Sequence, residues 1–179
     1  NPLLPEDIVD VGAEEVPQDW HPRYQNSVKT YEYHILNREM PDPLRRRESW
    51  HVSFPLDLDS MREAAAYLRG EHDFRSFCSI HTGVKTTVRT IYTLDIDRSG
   101  NLITIRISGN GFLYNMVRII AGTLVEVGRG FRTPENVRDI LNAEEREKAG
   151  ATAPPQGLVL VSIAYPERGD AEQGVNYNG

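Results

Sequence analysis

Arg118 has the strongest claim to chemistry because of where it stands. It lies between Val117 and Ile119 inside the most apolar segment of the chain, Phe112 to Val127. A guanidinium stays charged at physiological pH, so a buried one needs a carboxylate or phosphate partner. The surrounding sequence offers no obvious one. The blander alternative is a side chain that buries only its stem and carries its charge out to water. Just upstream, Gly109-Asn110-Gly111-Phe112 sets two glycines around Asn110, a pattern for a tight turn or a close backbone approach. A strand-to-helix loop with a capping asparagine would read the same way. Tyr31 and Tyr33 are two residues apart on a strand-like stretch and therefore share a face. Core packing is the default for such a pair, and stacking on a nucleobase is the functional alternative.

Other chemistries find little support. Glu71, His72, Asp73 and His81 cluster in sequence, but neither HExxH nor a Cys/His pairing is present, so no metal site is expected. Cys78 stands alone in no pattern that activates a nucleophile. Walker and Rossmann glycine patterns are also missing, so nucleotide-cofactor chemistry has no support. Two basic groups could meet phosphates: Arg45, Arg46 and Arg47 backed by Arg38, and Lys85 with Arg89. Solvated loops carry such runs just as readily.

A net charge of −6 argues against a protein that coats nucleic acid nonspecifically, yet leaves room for a local basic face. The 179 residues are enough for one domain with a real core and short for two. A single cysteine fits a reducing compartment, and no apolar run reaches the roughly 18 residues of a membrane span. A cytoplasmic protein is expected. The chain begins at Asn1 without methionine, which suggests processing, truncation or disorder upstream.

The elements that must position these residues follow from spacing. Pro2, Pro5, Pro17 and Pro22 break up the opening stretch, so residues 1–26 read as an extended connector with one apolar patch at Ile8 to Val11. Strands are predicted from Val28 to Ile35 and from Trp50 to Phe54. A helix is predicted with Ser60 and Glu63 as its capping box and Gly70 at its end. Glu71 to Gly83 reads as irregular. Thr86 to Asp97 and Leu102 to Ser108 form a hairpin about Ser99-Gly100-Asn101. A deeply buried helix covers Phe112 to Val127, and another starts at Thr133-Pro134-Glu135. Leu158 to Tyr165 is a last strand, and residues 167–179 are expected to be a disordered tail. The pattern predicts an α+β domain over residues 27–166, an antiparallel sheet with helices packed on one face.

Gly109 to Leu124, reading GNGFLYNMVRIIAGTL, closely resembles the signature segment of the TruA family of tRNA pseudouridine synthases. Gly70-Glu71-His72-Asp73-Phe74 with Ser76-Phe77, Ala149 to Pro155 with Gly157-Leu158, and Lys29-Thr30-Tyr31-Glu32-Tyr33 resemble further motifs of that family. So does the short His21-Pro22-Arg23-Tyr24. The resemblance runs in order over about residues 1–166. It implies an isomerase that makes pseudouridine in the anticodon stem-loop of tRNA, with no cofactor and no metal, in a homodimer. In the family an aspartate attacks the nucleoside, and the uracil detaches, turns and rejoins through carbon. By motif, Arg118 would orient that aspartate and Tyr31 would stack on the target base. Asn110, Phe112 and Leu158 would line the pocket. The family's aspartate loop precedes the position of Asn1 and nothing here matches it, so the resemblance implies the C-terminal half of an enzyme, inactive alone. Arg45 to Arg47, Lys85 and Arg89 are then the expected RNA contacts. A non-catalytic RNA-binding module is the alternative.

Overall fold

Alternation of aromatic and aliphatic residues with polar ones makes the stretch after Ser27 the central strand of a sheet. The computed structural model describes residues 3–22, 25–79 and 84–165. Within them β1 (Val28–Asn37) turns Tyr31, Tyr33 and Ile35 to one side, the last two fully buried. The other strands are β2 (Trp50–Val52), β3 (Gly70–Asp73), β4 (Val88–Ser99), β5 (Leu102–Gly109) and β6 (Leu158–Ala164). Their order is β2-β1-β5-β4-β3, and β6 pairs with the first half of β1 along the edge that β2 occupies further on.

The sheet is mixed rather than purely antiparallel. β2 runs parallel to β1, with Ile35 opposite Trp50, while every other pair is antiparallel. The connection from Arg38 to Ser49 is long enough to carry the chain back before it re-enters the sheet, which a tight hairpin cannot do.

Three helices, α1 (Leu58–Ala66), α2 (Met116–Gly128) and α3 (Pro134–Ala143), share one continuous core with the sheet. Ile103, Ile105 and Ile107 line the inner face of β5, and Met116, Ile119, Ile120 and Leu124 answer from α2. The helical spacing read from the sequence is therefore sound, although α2 begins at Met116 and not at Phe112. Asn115 is left-handed (φ 63°) and interrupts the helix there.

Two other boundaries differ from expectation. Asp57, not Ser60, caps α1: its carboxylate accepts from the Asp59 and Ser60 amides and from the Ser60 hydroxyl at 2.6 Å. The Ser60 hydroxyl bond is the main reason its carboxyl lies below the usual range. Gly70 opens β3 instead of closing the helix, and the Glu71–Asp73 stretch read as irregular is an edge strand on β4. The expected disordered tail, residues 167–179, lies outside the described residues, as does His81.

A backbone segment laid along α2 completes the architecture. Gly150 donates its N–H to Thr123 Oγ1 at 2.9 Å, and Ala151 donates to Glu126 Oε1 at 3.2 Å. Ala153 N–H meets the Arg118 carbonyl at 3.1 Å. The approach is so close that a Cβ on Gly122 would stand 1.9 Å from the Ala151 oxygen. Beyond it, the Tyr33 hydroxyl donates to the Pro154 carbonyl at 2.6 Å, and Gly157 leaves room for the Tyr33 ring.

Gly122→Ala should therefore expel the 150–153 segment from the helix and destabilise the fold by more than the 1–3 kcal/mol, roughly, of ordinary overpacking. Urea titration measures this; an unchanged midpoint would contradict the close approach. Tyr33→Phe strands the Pro154 carbonyl and should cost about 1–3 kcal/mol near neutral pH. Burial pushes the Tyr33 phenol well above its ordinary 10.0, with the Arg118 charge acting the other way. The unfolded chain thus ionises first, and the parent loses stability as pH rises above 10.0 while the variant is spared that loss. The gap between parent and Tyr33→Phe should shrink in urea titrations above that pH.

Candidate active site

The surroundings of Arg118 explain how a charge survives in so apolar a helix. Its Nε donates to the Ala153 carbonyl at 2.7 Å, and its Nη1 donates to Asn115 Oδ1 at 2.9 Å. Both acceptors are neutral. Among the described residues Arg118 has no carboxylate partner. The side chain is only half-buried, and it lines a depression shared with Tyr31, Phe112 and Leu158. This answers the question of its partner in part: the fold supplies dipoles to hold the guanidinium, and no carboxylate among the described residues offsets its charge.

Tyr31 reaches the depression from β1. Directly beside it the β1–β6 register slips between Thr30 and Tyr31, a bulge of the kind that re-aims a side chain. The Tyr31 ring meets Phe112 edge to face, with centroids 5.2 Å apart at 82°. The pair forms a ridge. Arg118 and Leu158 lie on one side of it, while Lys29, Arg89, Asn110 and Gly111 border a second depression on the other. Such a half-buried π-surface flanked by cations can stack on a base while its phosphates are neutralised.

Asn110 is less available than its motif suggests. Its Oδ1 accepts from the Thr90 amide at 2.9 Å and its own N–H donates to the Thr90 carbonyl at 3.1 Å, so the side chain pins the end of β5 to β4. It remains at the rim of the second depression. Arg89 stands beside Gly111, and its Nη1 is tied to the Thr86 and Val88 carbonyls. Lys85 lines a separate cleft with Asp73, Cys78 and Glu144. Arg45, Arg46 and Arg47 are exposed on the β1–β2 connection and border neither depression. The strand they lead into pairs at Ile35, about 13 Å along β1 from Tyr31 at the usual rise per residue.

Sequence reasoning missed two side chains and one carbonyl. Lys29 shares a strand face with Tyr31, a period-two signal that was there to be read. Asn115 and the Ala153 carbonyl act on Arg118 through a turn and a backbone segment, which no side-chain spacing announces. Among the described residues no group of three His, Cys, Asp or Glu side chains is placed to hold a metal ion. No helix among them is long and apolar enough to cross a membrane.

Comparison with known proteins bears on this arrangement. A family model described as tRNA pseudouridine synthase matches residues 64–166. The tRNA pseudouridine synthase A of Brevibacillus brevis is 52% identical over 165 residues, which cover 92% of this chain and 68% of the relative. That of Thermoanaerobacter sp. (strain X514) is 48% identical over the same coverage. That of Geobacter sp. (strain M21) is 45% identical over 168 residues, covering 93% of this chain and 68% of the relative. With Arg118, Tyr31, Phe112 and Leu158 gathered at one depression and these matches spanning most of its length, the chain belongs to the tRNA pseudouridine synthase family of uridine isomerases.

Proposed function

We propose that this chain supplies the arginine and the stacking surface of a site that isomerises uridine in the anticodon stem-loop of tRNA, and that the attacking aspartate comes from a segment outside it. The observation that carries this reading is the Arg118 guanidinium, fixed on two neutral acceptors with no carboxylate partner among the described residues. A planar fork so held is suited to receive a carboxylate in a bidentate contact. The match to only 68% of the relatives' length leaves room for such a segment.

In this reading the carboxylate attacks the nucleoside, the bond from sugar to uracil nitrogen breaks, the turned base rejoins through carbon, and the bond to the carboxylate breaks to free the enzyme. The proton lost from that carbon is balanced by one gained at nitrogen, so the product is an isomer and no electron acceptor is required. Arg118 orients the carboxylate. Tyr31 stacks on the uracil, which must leave its own stack to be reached. Phe112 and Leu158 close the apolar walls, and Asn110 stands at the rim. Lys29 and Arg89 neutralise phosphates beside the flipped nucleotide, while Lys85 and Arg45 to Arg47 contact the stem further away. The apolar edge strand β6, with Val159, Leu160, Val161 and Ile163 all exposed, supports a covering neighbour at the same edge. The working enzyme is read as a cytoplasmic homodimer, and this chain by itself as inactive.

The test is pseudouridine formation in unmodified tRNA by this chain alone and after adding the separately expressed remainder of the full-length enzyme. Activity that depends on the added segment supports the proposal. Turnover by the chain alone would place the nucleophile within it and overturn the reading. In the complete enzyme, Arg118→Lys keeps the charge but loses the fork, and should lower the rate by roughly 10²-fold or more with tRNA binding largely retained. A near-normal rate for that variant would remove Arg118 from the mechanism. Tyr31→Ala should weaken base capture by about 1–3 kcal/mol, whereas Tyr31→Phe should retain most of the stacking. Fluorescence titration with anticodon stem-loop RNA would distinguish them.

A further inference from the structure

Asn115 is unusual on backbone grounds before its contacts are considered. It is one of two non-glycine residues among those described with a positive φ, at 63°. A left-handed residue opposes the intrinsic preference of the chain, and such outliers gather where surrounding structure or function holds them. Its position just ahead of α2 is one where asparagine ordinarily turns its side chain back onto a free helix amide. Here it makes no such bond.

The amide is spent on two other partners. Its Oδ1 accepts from Arg118 Nη1 at 2.9 Å, and its Nδ2 donates to Ser79 Oγ at 2.9 Å. An arginine can only donate, so the amide oxygen must be the atom that faces it. Ser79 is itself docked here, its N–H donating to the Tyr114 carbonyl at 3.2 Å. Asn115 is thus a fixed link between the segment after Phe77 and the guanidinium.

We propose that Asn115 is a positioning residue that sets the plane of the Arg118 guanidinium for the incoming carboxylate, and that its neutrality is part of that function. The inference rests on the role proposed above for Arg118. A rigid planar group held at Nε by the Ala153 carbonyl and at Nη1 by Asn115 cannot swing about either bond alone. Of its five N–H donors, two are used among the described residues, and the other three would suffice for a bidentate contact. An amide oxygen accomplishes this without neutralising the charge. A carboxylate at the same position would bind Arg118 more tightly and compete with the catalytic aspartate for it. The left-handed backbone aims the amide at the guanidinium rather than at the helix, which is why the cap is forgone.

Two substitutions in the full-length enzyme separate positioning from mere structure. Asn115→Gly accepts the left-handed backbone and removes the amide; Asn115→Asp keeps size and backbone and adds a charge. Single-turnover pseudouridine formation should fall on the order of 10- to 100-fold in both, as expected when a reacting group is misplaced by a fraction of an ångström to one ångström. Affinity for tRNA and the melting temperature should stay near those of the parent. A cap or packing role predicts a different pattern, with Asp as good as Asn because both cap well. A parental rate in Asn115→Asp would overturn the proposal. So would an Asn115→Gly loss that merely tracks a loss of melting temperature or of tRNA affinity. Arg118→Lys measured in parallel keeps the two readings apart. If it is impaired and both Asn115 variants are normal, only the present inference fails; if it is normal, the role of Arg118 itself fails.

Discussion

The bond from Arg118 Nε to the Ala153 carbonyl is the contact on which the site and much of its scaffold depend. A guanidinium in the most apolar helix of the chain needs acceptors, and a backbone carbonyl can reach it only if an extended segment lies almost on the helix surface. That requirement accounts for the residues on both sides. Gly122 removes the Cβ that would strike Ala151, and Gly150 comes within bonding distance of Thr123. Arg146 binds the Gly150 carbonyl and the Thr152 hydroxyl from outside. Small residues and satisfied backbone groups do here what larger side chains could not, because any bulk between helix and segment would pull the carbonyl away from the charge.

The same segment ties the site to the sheet. Tyr33, wholly buried in β1, reaches the Pro154 carbonyl one peptide beyond the one that holds Arg118. β6 then departs at Leu158, opposite Tyr33, and runs back along β1 toward Tyr31. The guanidinium, Tyr31 and the edge strand are thus set by one short stretch of backbone. A shift at Pro154 would move the Ala153 carbonyl that holds Arg118 and the start of β6 at Leu158 together, so the walls of the depression are linked. This suits a reaction whose reactive carboxylate, in the reading above, must be met at a fixed angle.

How much of this was legible in the sequence depended on whether side-chain period or backbone reach decided the matter. β1, the β4–β5 hairpin, α2 and α3 were readable because their apolar residues recur at strand or helix spacing and meet a single core. The start of α2 was misplaced by four residues, since Phe112 and Leu113 continue the apolar pattern while the left-handed Asn115 breaks the helix. β3 was missed because an edge strand reading Gly-Glu-His-Asp has no buried face to create alternation. The parallel entry of β2 was hidden because direction is set by how the long connection folds, not by the three residues that pair. At the site, the motifs led to Arg118, Tyr31, Phe112 and Leu158, while the acceptors of Arg118 were invisible: one is a carbonyl, and the other lies in a turn whose φ no spacing reveals.

Two physical deficits coincide on the molecule, and their coincidence bears more on the proposed arrangement than either does alone. Arg118 keeps a charge that no described carboxylate offsets, and a half-buried charge is costly unless something compensates it. β6 exposes apolar residues on both of its faces, although a strand ordinarily leaves at most one face to water. Leu158 belongs to both places, being the first residue of β6 and part of the wall beside Arg118. A neighbour that covered the strand would approach the mouth of the depression, and a carboxylate on it would meet the fork from the open side. One contact surface can therefore relieve the hydrophobic and the electrostatic deficit together. On this account the assembly that buries the edge strand is also the one that completes the active site.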